Sequence, residues 1–248
     1  MWPKGRAQTA IVFMAKLSIS PFLVLYWSQL NEVRLMKNRP LFLISLIAIS
    51  CIVMLWSAIL PHDYFTWFLE VFPIFIALPM LVFTYKKFPL SNLVYALILI
   101  HAIILMIGGH YTYAEVPLFN WLRDHFDLGR NYYDRVGHFA QGFVPAIIAR
   151  EILLRKNVLQ EGGWLFFIVC SICLSISACY EFIEWWVALA SGQGAEAFLG
   201  SQGDVWDTQW DMFLALIGAV LSQVILKKRH NQSMHALESL TSPCNLPS

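Results

Sequence analysis

Apolar runs close to 20 residues long recur along this 248-residue chain, and they constrain its fold more than any other feature. A helix needs about 20 apolar residues to cross the roughly 30 Å hydrocarbon core of a bilayer. Such stretches lie at residues 41–60, 66–84, 92–108, 136–154, 164–188 and 209–226. Each should be a helix, because a bilayer offers no hydrogen-bond partner to an open backbone. The sequence therefore predicts an all-α, polytopic transmembrane helical bundle with about six spans.

The composition argues against a water-soluble fold. Charged residues make up 13% of the chain and the mean hydropathy is +0.59, whereas a soluble domain carries about 25% charge. The net charge of +1 gives no indication of a nucleic-acid partner. The five cysteines lie in apolar runs or near the end of the chain, so no disulfide framework is expected, and Cys170 and Cys173 are interpreted as small packing residues.

Basic residues occur in every second connection between the spans. They are Arg34, Lys37 and Arg39 before the first span, Lys86 and Lys87 after the second, Arg155 and Lys156 after the fourth, and Lys227, Lys228 and Arg229 after the sixth. Because basic loops stay in the cytoplasm, both termini are predicted to be cytoplasmic. The pattern indicates a multi-pass protein of a bacterial inner membrane, and the lipid bilayer is its first expected partner.

Three regions follow from this pattern. Residues 1–35 form an N-terminal extension, for which an interfacial segment, an extra helix and a misassigned start with Met36 as the first residue all stay open. Residues 36–230 form the six-helix transmembrane domain. Residues 231–248 are predicted to be a disordered cytoplasmic tail.

Ionisable side chains gather at the predicted outer ends of the last three spans. Such groups cost about 3 kcal/mol at the middle of a membrane, so those that persist usually face an interior or a cavity. In the fourth span, Asp134, His138 and Gln141 follow one another at i, i+4 and i+7, on one helical face. The same side of the membrane receives Glu181, Glu184, Asp204, Asp207 and Asp211, with His110 and Glu115 at the exit of the third span.

These residue types suit acid–base chemistry or a metal site facing the periplasm. The catalytic candidates are His138, Glu181, Glu184, Asp207 and Asp211. The candidates for substrate binding are His110, Glu115, Asp134, Gln141 and Asp204. A divalent metal is a candidate cofactor, with His138, Glu184 and Asp211 as its candidate ligands.

Two other interpretations of the same residues stay open. The acidic groups and His138 could pair with one another or with Arg123, Arg130 and Arg135 only to fasten helices together, in a structural or assembly protein. A small transporter or channel would need polar residues continuing to the cytoplasmic ends of the spans. The inner halves of the spans contain few polar residues, chiefly serines, His101 and Arg150. A transporter or channel is therefore less favoured.

Three long blocks of sequence resemble the YjdF family of bacterial inner-membrane proteins. They are residues 113–155, the stretch YEFIEWW at 180–186 and the stretch FLGSQGDVWDTQWDM at 198–212, and the resemblance covers about residues 36–230. It implies an inner-membrane protein but no particular biochemical activity. The chain is also similar, more faintly, to VanZ-like membrane proteins, at Asp134, His138, Phe139, Glu181 or Glu184, Asp207 or Asp211, and Gly218. That similarity implies a link to glycopeptide or lipid-linked precursors of the envelope, and so a lipid-linked or other small molecule of the cell envelope as the expected ligand.

Overall fold

A computed structural model describes the backbone of residues 21–191 and 200–241, and the side chains of residues 38–191 and 200–240. Within those ranges the secondary structure is entirely helical, as the sequence predicts. The helices are α1 (Pro21–Ala58), α2 (Tyr64–Tyr85), α3 (Asn92–Tyr111), α4 (Pro117–Phe126), α5 (Tyr133–Arg155), α6 (Gly163–Ser191) and α7 (Asp207–Thr241). A short 3₁₀ turn, Tyr113–Glu115, precedes α4.

Five of the described helices are long and apolar enough to cross a membrane. The segments are Asn38–Ala58, Tyr64–Tyr85, Asn92–Tyr111, Gly163–Ser191 and Asp207–Leu240. They correspond to the predicted first, second, third, fifth and sixth spans, and contain all of them except residues 59–60 of the first. Many of their large apolar side chains point away from the protein, among them Leu55, Phe83 and Leu189. Such outward apolar faces are what lipid contact requires.

The predicted fourth span, 136–154, coincides with α5 but differs from the other spans in character. At 23 residues α5 is about 35 Å long, which is enough to cross a bilayer. It is less apolar than the five helices above because polar residues interrupt it, and its buried residues include Asp134, His138 and Glu151. It packs against α3, α6 and α7 and so lies at the centre of the bundle. The sixth crossing therefore stays a prediction.

The closest approach in the bundle is between α5 and α7, where small residues face each other. A Cβ atom built on Gly142 of α5 would collide with the backbone of Ala215, and one built on Gly218 of α7 would collide with the backbone of Phe139. Ala215 is fully buried at this crossing. Small residues allow helices to approach closely in a membrane, where dispersion contacts largely replace the hydrophobic effect. This crossing fixes the start of α7 beside the start of α5.

Several contacts establish which helix ends lie together. The backbone N–H of His62, before α2, donates to the carbonyl of His110 at the end of α3 over 2.8 Å. Asp63 caps α2 by accepting from the Thr66 N–H over 2.6 Å, and this hydrogen bond holds the pKa of Asp63 below its ordinary value. The ring of Tyr113 lies between Gly108 of α3 and Gly137 of α5. The ends of α3 and α6 and the beginnings of α2, α5 and α7 thus share one end of the bundle.

The two termini extend beyond the predicted domain. The backbone of α1 begins at Pro21, within the predicted extension, and runs without a break into the first span; residues 1–20 lie outside the described part. At the other terminus, α7 continues to Thr241, over residues for which the sequence predicts a disordered tail. Met234 and Leu237 are buried there because this last part of α7 packs back on the bundle. Residues 242–248 are not described.

Candidate functional site: a buried ionisable cluster around His138

A cluster of ionisable side chains is buried where α5 and α7 begin and α6 ends. Each of its members is at most 9% exposed. We call it the His138 cluster, and it consists of Glu70, Arg130, Asp134, Arg135, His138, Glu181, Glu184, Asp207 and Asp211. Buried ionisable groups are rare within membrane bundles and usually mark a functional site.

His138 lies at the centre of the cluster and faces carboxylates from three helices. Its Nε2 is 3.3 Å from Asp134 Oδ1 and 3.7 Å from Asp211 Oδ1. Its Nδ1 is 3.2 Å from Gln141 Oε1 and 3.8 Å from Glu181 Oε1. Asp134 and Gln141 reach the imidazole from the same helix, as the predicted i, i+4 and i+7 spacing requires. The imidazole is therefore held from both nitrogens.

Two arginines that precede or begin α5 join it to the beginning of α7. The Arg135 guanidinium donates to Asp207 Oδ1 over 2.6 Å, to Asp204 Oδ2 over 3.1 Å, and to Asp211. Arg130 donates to the same Asp207 oxygen over 2.7 Å. Charge-assisted hydrogen bonds of this kind are about twice as strong as neutral ones. Asp207 and Asp211 are thus fixed in position by cations that lie more than 70 residues away in sequence.

The cluster contains more buried acids than buried bases. Six carboxyl groups (Glu70, Asp134, Glu181, Glu184, Asp207 and Asp211) are buried with two arginines, Arg130 and Arg135, and one histidine. Asp134 Oδ2 and Glu181 Oε1 are buried without a hydrogen-bond partner. Burying net charge is costly unless protons or cations neutralise it. The arrangement therefore requires bound protons, a bound cation, or both.

Three side chains of the cluster are placed to hold a metal ion. Asp134, His138 and Asp211 each offer a ligand atom, and these atoms lie within 4.8 Å of one another. For bonds of 2.0–2.2 Å, neighbouring ligand atoms of a tetrahedral site are about 3.3–3.6 Å apart, and His138 Nε2 lies 3.3 and 3.7 Å from the two carboxylates. One imidazole and two carboxylates suit Zn²⁺ or Mn²⁺. Of the predicted metal ligands, His138 and Asp211 belong to this triad and Glu184 does not.

The remaining predicted site residues separate into two groups. Asp204 is half-buried and lies beside Arg130 and Arg135, so it joins the cluster at its edge. His110 instead binds the carbonyl of Ser57 through Nδ1 over 3.1 Å, and its ring lies tilted against that of Trp56, with centroids 4.5 Å apart. Glu115 is exposed and accepts from Asn120 over 3.0 Å. The structure does not bring His110 and Glu115 to the cluster.

Glu70 and Tyr180 are members of this site that the sequence analysis does not single out. Glu70 comes from α2 and is 4% exposed. Its carboxyl group interacts electrostatically with Asp134 and His138. The Tyr180 ring lies 6.3 Å from the His138 ring, measured between centroids. A lone acid in an otherwise uncharged apolar span is the sequence signal that identifies Glu70.

A second polar network lies at the opposite end of the same helices, about 25 Å from Asp134 along α5. Glu151 is fully buried and accepts from the Ser91 N–H over 2.8 Å and the Ser91 hydroxyl over 2.5 Å. Arg155 donates to it over 2.7 Å, and His230 Nε2 lies 3.1 Å away. We call these residues the Glu151 network. Both of its carboxylate oxygens are paired, which is the pattern of a structural brace.

The two polar regions are separated by apolar packing. Between them, α5 carries Val144, Ala146 and Ile147, which belong to hydrophobic core clusters and are at most 3% exposed. No polar side chain of this α5 segment among the described residues bridges the gap. A continuous polar path through the bundle, which transport would need, is therefore not supported along α5.

Comparison with known proteins places most of this chain in one family. Residues 42–232 match the family model described as "Predicted membrane protein (DUF2238)". The chain is 46% identical over 203 residues to the inner membrane protein YjdF of Escherichia coli (strain K12), covering 82% of this chain and 97% of that protein. No solved structure matches. The chain thus belongs to the DUF2238 family, to which its resemblance to YjdF already pointed, and is a multi-pass protein of the inner membrane.

Proposed function

We propose that the His138 cluster binds a divalent metal ion and, with it, binds or modifies a component of the cell envelope at the periplasmic face of the inner membrane. The observation that carries this proposal is the buried triad Asp134, His138 and Asp211, whose ligand atoms lie within 4.8 Å of one another. A divalent ion there would neutralise two of the excess buried negative charges.

The proposal includes a topology of six crossings, with both termini in the cytoplasm and the cluster towards the periplasm. Its support is the distribution of charged and aromatic residues. Arg155, Lys227 and Lys228 lie towards the other end of α5 and α7 from the cluster, as the positive-inside rule requires of cytoplasmic ends. Trp185, Trp186, Trp206 and Trp210 are exposed around the end that holds the cluster. Exposed tryptophans concentrate at the boundary between lipid and water, so the cluster would lie near that boundary.

The arrangement has the groups that metal-assisted chemistry uses. A metal bound by the triad would polarise an oxygen of the ligand or lower the pKa of a bound water. Glu181 lies on the Nδ1 side of His138, away from the two triad carboxylates. A carboxylate in that place would orient the metal-binding imidazole from its other ring nitrogen. Binding of the metal is the first requirement, and catalysis depends on it.

A structural role is the second candidate, and a specific observation favours it. Arg130 and Arg135 both pair with Asp207, which joins α5 to α7. These pairs fasten helices whether or not a metal binds. The pairs of His138 with Glu181 and Asp211 also join α5 to α6 and α7. Glu184 has no such role, because it forms no ion pair with arginine, lysine or histidine within the described residues.

Melting of the purified full-length protein distinguishes the two candidates. After treatment with a chelator, adding Zn²⁺ or Mn²⁺ at about 100 times its Kd should stabilise the protein by about 2.7 kcal/mol. For a protein of this size, such a gain raises the melting temperature by about 5–10 °C.

His138→Ala should abolish this increase in melting temperature, since it removes one of three ligands. His110→Ala is the matched control and should keep it, because His110 lies outside the cluster. Equal increases in wild type and His138→Ala, or no increase in wild type, would favour the structural role.

A further inference from the structure

The side chains of the metal triad are almost fully buried. Asp134 and His138 are each 6% exposed, and Asp211 is 2% exposed. An ion or a ligand can reach such side chains only when a part of the protein around them moves. The short segment directly before α7 lies where such a movement would uncover the triad.

This segment, residues 200–204, lies against the carboxylate of Asp134, and we call it the strap. Gly200 is buried there, and a Cβ atom built on it would lie 3.7 and 3.9 Å from the two oxygens of that carboxylate. The carbonyl of Gly200 accepts from Arg130 over 3.0 Å. The φ of Gly200, +62°, is a left-handed conformation that glycine adopts without steric cost. The strap therefore covers the Asp134 side of the triad.

A reciprocal pair of hydrogen bonds fastens the strap to the segment that begins α5. The side-chain carbonyl of Gln202 accepts from the backbone N–H of Asn131 over 2.9 Å, and its amide donates to the carbonyl of Asn131 over 2.9 Å. Asn131 is fully buried and is held from α4, because its own side-chain amide donates to Asn120 over 2.8 Å. Asp204 adds a second attachment by accepting from Arg135 over 3.1 Å.

The strap has the composition of a segment that opens easily. Its sequence is Gly-Ser-Gln-Gly-Asp, without a large apolar side chain, so the hydrophobic effect opposes its opening little. Gln202 is exposed, and water can replace its two hydrogen bonds when the strap lifts. Segments with few buried apolar contacts open locally far more often than the core unfolds.

We propose that the strap is a lid over the His138 cluster, and that breaking the pair between Gln202 and Asn131 opens the cluster. The inference rests on the proposed function for what enters, the metal ion and the envelope component, because it describes how that site is reached. When the strap is closed, water is kept from the cluster, which strengthens the interactions of the buried charges with a bound ion.

Modification of His138 by diethyl pyrocarbonate in the full-length protein measures this opening. The protein is purified in a neutral detergent with a chelator present, and peptide mass spectrometry gives the rate at His138 relative to the exposed His125. Gln202→Ala should raise this rate about tenfold, because the strap opens more often when two hydrogen bonds are lost. Equal rates at His138 in wild type and Gln202→Ala would overturn the proposal.

Ser201→Ala is the matched control within the strap. It removes a hydroxyl but keeps the backbone hydrogen bond that Ser201 accepts from Asp204 over 2.9 Å, so the rate at His138 should not change. A rate raised as much as in Gln202→Ala would show that any change in the strap has this effect, and would contradict the role of the pair with Asn131.

Gly203→Ala tests the strap without removing an attachment. An added Cβ at Gly203 meets nothing within 4 Å, but the φ of +84° is strained for alanine. The rate at His138 should therefore rise here too, and an unchanged rate would contradict the proposal even if Gln202→Ala failed to fold. Because the chelator removes metal, these rates do not depend on metal binding. Raised rates in a protein that binds no metal would support the lid and reject the metal site.

Discussion

Gly142→Ala should strongly destabilise the protein, and Gly142→Leu should leave almost no folded protein in the membrane. The physical reason is the crossing of α5 and α7, where an added Cβ would collide with the carbonyl group of Ala215. Overpacking a core usually costs about 1–3 kcal/mol. The cost of Gly142→Ala should be at the upper end of this range or above it. The group that the new Cβ would meet is backbone, which cannot move aside by changing rotamer. Detergent-resistant yield and the melting temperature measure the effect.

Gly163→Ala is the matched control for this crossing. Gly163 is also a helical glycine, at the start of α6, but an added Cβ there meets nothing within 4 Å. It should be neutral or slightly stabilising, since alanine favours a helix over glycine by up to about 1 kcal/mol. If Gly142→Ala and Gly163→Ala melted at the same temperature, the close crossing that positions Asp211 beside His138 would be wrong.

Glu151→Ala should cost about 3–5 kcal/mol of stability, which is the usual result of removing one member of a buried ion pair. The substitution leaves the Ser91 N–H and hydroxyl, one Arg155 contact and His230 without their acceptor. Those groups are buried between α3, α5 and α7, so water cannot simply replace the carboxylate. Chemical or thermal unfolding in detergent measures the loss.

Asp124→Ala is the control for the Glu151 network. Asp124 pairs with Arg123, but its side chain is 68% exposed, and exposed pairs contribute about 0–1 kcal/mol. Its loss should therefore be small. Comparable losses in Glu151→Ala and Asp124→Ala would show that the Glu151 network does not brace the bundle.

The spans and one face of the site could be predicted from sequence because both depend on local patterns. Apolar runs identify membrane helices directly, and the spacing of Asp134, His138 and Gln141 places them on one face of α5. The central position of α5 could not be predicted this way. Its polar residues face other helices rather than lipid, and that depends on tertiary packing.

The pairing of residues far apart in sequence explains most of what sequence analysis missed. The sequence leaves the pairing of Arg130 and Arg135 with the acidic groups as one of several open interpretations, because their partners Asp207 and Asp211 come more than 70 residues later. His230 falls at the predicted boundary of the disordered tail, yet it is fully buried against Glu151. Glu151 itself lies within the predicted fourth span, so the expectation of few polar groups in the inner halves of the spans was wrong at a residue that the sequence shows.

The most direct test of the central claim is elemental analysis of metal in the purified full-length protein. The protein is extracted without chelator, dialysed against Zn²⁺ or Mn²⁺, and freed of unbound metal before measurement. We predict about one divalent ion per chain, held by the three-residue triad. Folded His138→Ala should hold less than about a tenth of that amount, since affinity depends on each ligand. A wild-type protein without metal, or a folded His138→Ala with the same content as wild type, would contradict a metal site at His138.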